Sequence, residues 1–266
     1  MKTILLLAHD DAGQEARFLA ALDVARAVDG HLKCLDVSVM PLFVGDFYSG
    51  AGEAMLLAQE REQEGANRTR LEARLAAETL PWDWTDTTAA IGPALEQASL
   101  LADLIVVNRQ LDFRLPDMRA VASDLVVRSG KPILAVPEAS RGLKTDGRVL
   151  VCWNGSTCAA AALRAAVPLL KLAETVILLE VEEEGRASSV HDAAEYLARH
   201  DIHPLIRRRQ PPATKPAKVI LDEIRHERAD YVVMGGFSHR RFIEALFGGV
   251  TRTMLSESPV PIFMAH

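Results

Sequence analysis

Two glycine pairs near the carboxy-terminal end carry the residues best suited to chemistry. The first stands in Met234-Gly-Gly-Phe-Ser-His-Arg-Arg241, directly after the apolar run Asp230-Tyr-Val-Val. The second stands in Phe247-Gly-Gly-Val-Thr-Arg-Thr253. Glycines at such places let backbone N–H groups approach a bulky anion with no Cβ in the way. If the second pair opens a helix, its free N–H groups and dipole add favourable charge at the same spot. Gly235, Ser238, His239, Gly248, Gly249, Val250 and Thr251 then form a phosphate cradle, with Ser238, His239, Thr251 and Thr253 as side-chain donors. The competing reading is a pair of tight turns that use glycine only for positive φ.

Other polar clusters carry weaker signals. His200 and His203 flank a helix end and a strand start with no third ligand, and read as solvated. Arg207-Arg208-Arg209 alternates along a strand, so at most two share a face, near solvent. Arg240 and Arg241 follow the cradle and either screen a triphosphate or face water. Arg109, Arg114 and Arg119 read as surface charge rather than an anion site. Residues 40–63 are rich in Gly, then in Glu and Gln. They read as a loop plus a helix extension over 53–74, a packing arm rather than a binding element.

These residues need elements to hold them. The sequence reads as alternating strands and helices, the pattern of an open parallel α/β sheet. Strands are expected at 3–8, 31–37, 83–89, 104–108 and 132–136, then at 148–153, 174–181, 203–209, 230–234 and 260–264. Helices are expected at 14–28, 71–78, 93–102 and 116–129, then at 157–172, 190–200, 216–228 and 249–256. Three passages recur in order: Thr3-Ile-Leu-Leu-Leu with Arg148-Val-Leu-Val-Cys, Ala102-Asp-Leu-Ile-Val-Val with Ala229-Asp-Tyr-Val-Val-Met, and Lys131-Pro-Ile-Leu-Ala with Val260-Pro-Ile-Phe-Met. Such self-similarity argues for an internal duplication. The halves are placed at 1–140 and 146–266, joined by a polar, Pro- and Gly-punctuated stretch at 137–147.

Composition sets outer bounds. The chain has 266 residues, 49% hydrophobic and 25% charged, as in an ordinary globular protein. A net charge of −6 gives no whole-chain basic field for nucleic acid. Cys34, Cys152 and Cys158 form no CxxC pair and no zinc spacing, and read as reduced thiols of a cytoplasmic protein. The apolar start ends at His9-Asp10-Asp11, too short for a signal peptide, and no window is apolar enough to span a bilayer.

The second half resembles the universal stress protein family. Nucleotide-binding members carry Gly, two residues, Gly, nine residues, then Gly and Ser or Thr. This chain has Gly235, two residues, Ser238, nine residues, Gly248 and Gly249, then Val250 and Thr251. The spacing matches, while Ser238 and Gly249 depart in type. The ending Ser258-Pro-Val-Pro-Ile-Phe263 also fits the family's last strand. The resemblance implies two tandem open parallel-sheet domains, Rossmann-like and adenine nucleotide alpha hydrolase-like. It implies ATP, with or without Mg2+, held by the second half. An Asp after strand one and a residue ending strand two line the nucleoside pocket in that family, and Asn154 and Val181 take those places here. Asn154 can donate and accept but has no carboxylate. Ser238 adds a Cβ where backbone meets phosphate, and serine tolerates positive φ poorly.

The first half lacks the cradle. Asn108 takes the place of Gly235, and Arg119 and Ala120 take those of Gly248 and Gly249; Asp112 and Asp117 would repel phosphate. It reads as a degenerate, non-binding copy. The leading expectation is therefore a stress-response regulatory protein that binds an adenine nucleotide and acts through an unknown protein partner, not an enzyme, although slow ATP hydrolysis stays open. The alternatives are a ligand-free interaction protein with decayed pockets and, ranked lower, a nucleotide-using enzyme. The halves are expected to pair edge to edge or face to face through their final strands as a pseudo-dimer; association of two chains into a homodimer is left open.

Overall fold

The computed structural model describes residues 1–39, 50–109, 125–181, 189–210, 216–236 and 249–266. The first half supplies β1 (Thr3–Leu7), β2 (His31–Ser38), β3 (Trp82–Thr88), β4 (Leu104–Asn108) and β5 (Ile133–Val136). The second supplies β6 (Arg148–Trp153), β7 (Thr175–Val181), β8 (Leu205–Arg209), β9 (Tyr231–Gly235) and β10 (Ile262–Ala265). The helices are α1 (Gln14–Ala27), α2 (Gly50–Leu75), α3 (Ile91–Ala98), α4 (Thr157–Leu170), α5 (Val190–Ala198), α6 (Pro216–Glu227) and α7 (Gly249–Glu257); residues 125–129 are also helical.

All strands join one ten-stranded sheet in the order β3-β2-β1-β4-β5-β10-β9-β6-β7-β8. Every pairing is parallel except β5 with β10. The burial follows from this order. The central strands β4, β5 and β10 are buried at every position, because helices cover both faces. The edge strands β3 and β8 are partly exposed. Successive side chains alternate between two apolar layers. One layer packs Ile4, Leu6, Leu134 and Phe263 against α1, α2, α4 and α5, and the other packs Leu5, Leu7, Ile133 and Ile262 against α3, α6 and α7.

The β5–β10 seam has a local symmetry. Leu134 faces Phe263, flanked by Ile133 opposite Met264 and Ala135 opposite Ile262. Ile133-Leu-Ala and Ile262-Phe-Met are equivalent stretches of the two copies. Exchanging the halves therefore reproduces the same pairs, about a twofold axis through Leu134 and Phe263. The joining stretch is not slack: Leu143 is buried, and its N–H donates to Asp23 Oδ2 at 2.9 Å.

Several expected boundaries shift. The separate helices expected at 53–74 and 71–78 are one helix of 26 residues, Gly50–Leu75. The last strand starts two residues late, at Ile262, because Pro261 has no N–H for the ladder. Residues 40–49 and 110–124, where part of the extra loop and part of the helix at 116–129 were expected, lie outside the described residues.

Candidate functional site

In a doubly wound sheet the ligand crevice lies beyond the carboxyl ends of the strands where strand order reverses. The order reverses between β1 and β4 in one half and between β6 and β9 in the other.

In the second half, Asn154-Gly155-Ser156 leaves β6. Asn154 is exposed, and its Oδ1 accepts from the Ser156 N–H at 3.2 Å. Ser156 caps α4, its Oγ accepting from the Ala159 N–H at 3.1 Å. Gly155 adopts φ +68°, the left-handed region that glycine fills without strain. Met234 and Gly235 end β9 beside Asn154, and half-buried Val181 ends β7 on its other flank. The sheet thus brings Asn154, Val181, Met234 and Gly235 to one rim. A Cβ on Gly235 would lie 2.5 Å from the Ala159 nitrogen and 2.7 Å from the Cys158 carbonyl carbon. Glycine there lets α4 press its first turn directly on the strand.

Gly249, Val250 and Thr251 open α7, which packs on the opposite apolar layer. A Cβ on Gly249 would meet nothing within 4 Å among the described residues. Thr251 is buried and Val250 half-buried. Gly235 and Gly236 have no positive φ, so the tight-turn reading does not explain the first pair; close packing explains Gly235. Ser238, His239 and Gly248, together with Arg240 and Arg241, lie outside the described residues.

In the first half the same crevice is filled by the protein's own side chains. The buried stripe Gln14, Arg17, Phe18, Ala21 of α1 repeats in α4 as Ala159, Ala162, Leu163, Ala166, so Ala162 stands where Arg17 does. Arg17 is fully buried, and its guanidinium donates to the Leu7 carbonyl at 3.0 Å, the His9 carbonyl at 2.7 Å, and Asp11 at 2.8 and 2.9 Å. It also donates to Asn108 Oδ1. Asn108 ends β4 where Gly235 ends β9. Here the missing Cβ has moved to the helix: a side chain on Gly13 would strike the Asn108 amide at 2.1 Å. Sequence reasoning missed Arg17. Its signal was an arginine beside the apolar stripe Phe18, Ala21, Ala25 of α1.

Beside this plug lies a second buried polar group. Glu64 and Asn67 reach in from α2, so the 53–74 arm does pack, but with polar residues. Glu64 accepts from the Asp10 N–H at 3.2 Å and from Asn67 Nδ2 at 3.2 Å, and its Oε1 lies 2.7 Å from His9 Nδ1. Asn67 Nδ2 also donates to the Ala8 carbonyl at 2.7 Å. Burial works against a charged His9, but the hydrogen bond and charge of Glu64 outweigh it and hold the imidazole pKa above its ordinary value. Asp36 stands close by, its carboxyl pushed up to about 8 by burial and by the charge of Glu64.

Arg109 is neither of the things expected of it. It is half-buried, donates to the Leu255 carbonyl of α7 at 3.3 Å, and so ties the two halves together. Arg114, Arg119, Ala120, Asp112 and Asp117 lie outside the described residues, as do Glu182 to Glu184. The arginine triplet alternates as expected, yet it is paired: Arg207 and Arg209 bond Glu227 and Glu223 of α6, each at 2.7 Å, while Arg208 faces Glu180 across the sheet. His200 packs its ring against Tyr196 at 4.9 Å. No helix among the described residues is long and apolar enough to cross a membrane.

Residues 212–266 match the universal stress protein family, so the resemblance read from the second half holds. The whole chain is similar in fold to a universal stress protein from Archaeoglobus fulgidus, with a TM-score of 0.74 and 17% identity over 99% of this chain and 97% of that one. A functionally unknown protein from Pseudomonas aeruginosa is also similar, with a TM-score of 0.61 and 16% identity over 100% of this chain and 92% of that one. No curated protein matches the sequence.

Proposed function

We propose that this chain is a tandem universal stress protein whose second half binds one adenine nucleotide, ATP first, and signals its occupancy to a protein partner. The asymmetry between the two crevices carries this reading. Arg17, Asp11 and Asn108 occupy the first, whereas Ala162 and Gly235 stand at the places of Arg17 and Asn108 in the second. Gly249 adds a side-chain-free helix start, where free N–H groups attract phosphate.

The residues present fit such a ligand. Asn154 would meet the nucleoside with an amide, Val181 would offer an apolar wall to the base, and the first turn of α7 would hold the phosphate tail with its N–H groups and the Thr251 hydroxyl. The protein adds no carboxylate at Asn154, so any Mg2+ would travel with the phosphates and keep most of its water. An amide is also no general base, which favours a regulatory binder over a dedicated enzyme. Three free cysteines suit a reducing cytoplasm.

Mass spectrometry of the denatured, freshly purified chain should find co-purified ATP or ADP, and calorimetry with ATP and Mg2+ should show one site. Gly249→Val should weaken binding at least tenfold while leaving the thermal midpoint within about 2 °C of the parent, because the added atoms meet no described neighbour. Unchanged affinity in that variant, or no heat at millimolar ATP in the parent, overturns the reading.

A further inference from the structure

The first half holds a side-chain group that nucleotide binding does not use. His9 follows β1, Asp36 stands in β2, and Glu64 comes from α2. One nitrogen or oxygen atom from each lies within 4.8 Å of the other two. All three are buried, at 3%, 2% and 3% exposure, so solvent does not complete their bonding. Asp36 Oδ1 has no hydrogen-bond partner among the described residues. A buried carboxylate oxygen left in that state is costly, and a second carboxylate beside it adds repulsion.

Neighbouring cations are committed elsewhere. The Arg17 guanidinium is spent on Asp11, Asn108 and two carbonyls. Arg68 serves Glu72 and Asp86, and Arg70 serves Asp10 and Asn67. Glu64, by contrast, is held in orientation by the Asp10 N–H and the Asn67 amide, as outer partners hold a metal-ligating carboxylate. One imidazole nitrogen with two carboxylate oxygens is a donor set for first-row divalent ions; it is too nitrogen-rich for Ca2+ or Mg2+ and lacks the thiolates of a softer site.

We propose that His9, Asp36 and Glu64 bind one divalent transition-metal ion of the Zn2+ or Mn2+ class. The ion pins α2 to the ends of β1 and β2, closing the half whose crevice Arg17 already fills. Its role is structural, because the three ligands are buried and the crevice beside them is filled by Arg17, Asp11 and Asn108. The site sits in the first half and its test contains no nucleotide, so it stands or falls separately from nucleotide binding.

The test uses the full chain, stripped with chelator and titrated with Zn2+, Mn2+ and Ca2+ by calorimetry. Zn2+ should bind once per chain at micromolar concentration or tighter, and Co2+ at the same site should show visible d–d absorption. Zn2+ should also raise the thermal midpoint and slow proteolysis within residues 50–75. His9→Gln and Asp36→Asn, near-isosteric changes, should each weaken Zn2+ binding at least tenfold. Asp36→Asn should leave the metal-free midpoint no lower than in the parent, which separates lost coordination from lost folding. No stoichiometric uptake, uptake undiminished in both variants, or tighter binding of Ca2+ than of Zn2+ overturns the proposal.

Discussion

Replacing Arg17 with methionine tests whether the first crevice is held shut by that one side chain. The methionine keeps the stem's bulk and removes every donor. The Leu7 and His9 carbonyls, Asn108 Oδ1 and the Asp11 carboxylate then lose the guanidinium together. Asp11 is the costly member, since its side chain is only 3% exposed and among the described residues it then keeps one hydrogen bond, from the Gly13 N–H at 2.7 Å. Breaking a buried pair by removing one partner costs about 3–5 kcal/mol. At roughly 2–4 °C per kcal/mol for a chain approaching this size, the midpoint should fall by about 6–20 °C. Thermal unfolding followed by far-ultraviolet circular dichroism measures it. Adding Asp11→Asn to Arg17→Met should restore at least a third of the loss, because the stranded charge is gone. A midpoint within about 2 °C of the parent for Arg17→Met alone would refute the buried-plug account, as would a double variant no better than the single.

Two further outcomes follow from named contacts. Gly235→Ala forces a Cβ to 2.5 Å from helix backbone, whereas Gly236→Ala places one no closer than 3.6 Å to any described residue. The first should cost about 1–3 kcal/mol and the second under about 0.5, and equal denaturant midpoints would disprove the close approach of α4. Glu227 is held below the ordinary glutamate value of 4.5, first by its hydrogen bond from Arg207 and then by Arg148. Its folded pKa is depressed, so its contribution is present above about pH 4.5 and is lost as pH falls through the folded value. Glu227→Gln should flatten the fall of the thermal midpoint below pH 4.5, and parallel curves would exclude the pairing.

The sheet was legible in the sequence because its strands are short continuous apolar runs bounded by turn residues, a signal that needs no tertiary knowledge. The repeat of Lys131-Pro-Ile with Val260-Pro-Ile marked the seam strands, though not their antiparallel pairing, which depends on how the copies meet. The glycine pair at 235 and 236 was visible as glycine, but its reason was not. Only the distance to Ala159 separates a close helix from a turn. The crevice of the first half was hidden for another cause. Its loss was read from residues absent at 119 and 120, while the filling comes from Arg17, Asp11 and Asn108, which are separated along the chain and meet only once α1 lies on β1 and β4. The His9, Asp36 and Glu64 group was equally silent, since its third member arrives from a 26-residue helix whose polar composition suggested solvent.

The twofold seam at Leu134 and Phe263 has one more consequence. In an assembly of identical subunits every substitution appears twice, so a residue that seals one crevice seals both. Covalent fusion across this seam removes that restriction. Leucine can face phenylalanine, and arginine can plug one crevice while alanine stands at the matching place of the other. One molecule thereby keeps the geometry of a symmetric pair while its two copies specialise in opposite directions.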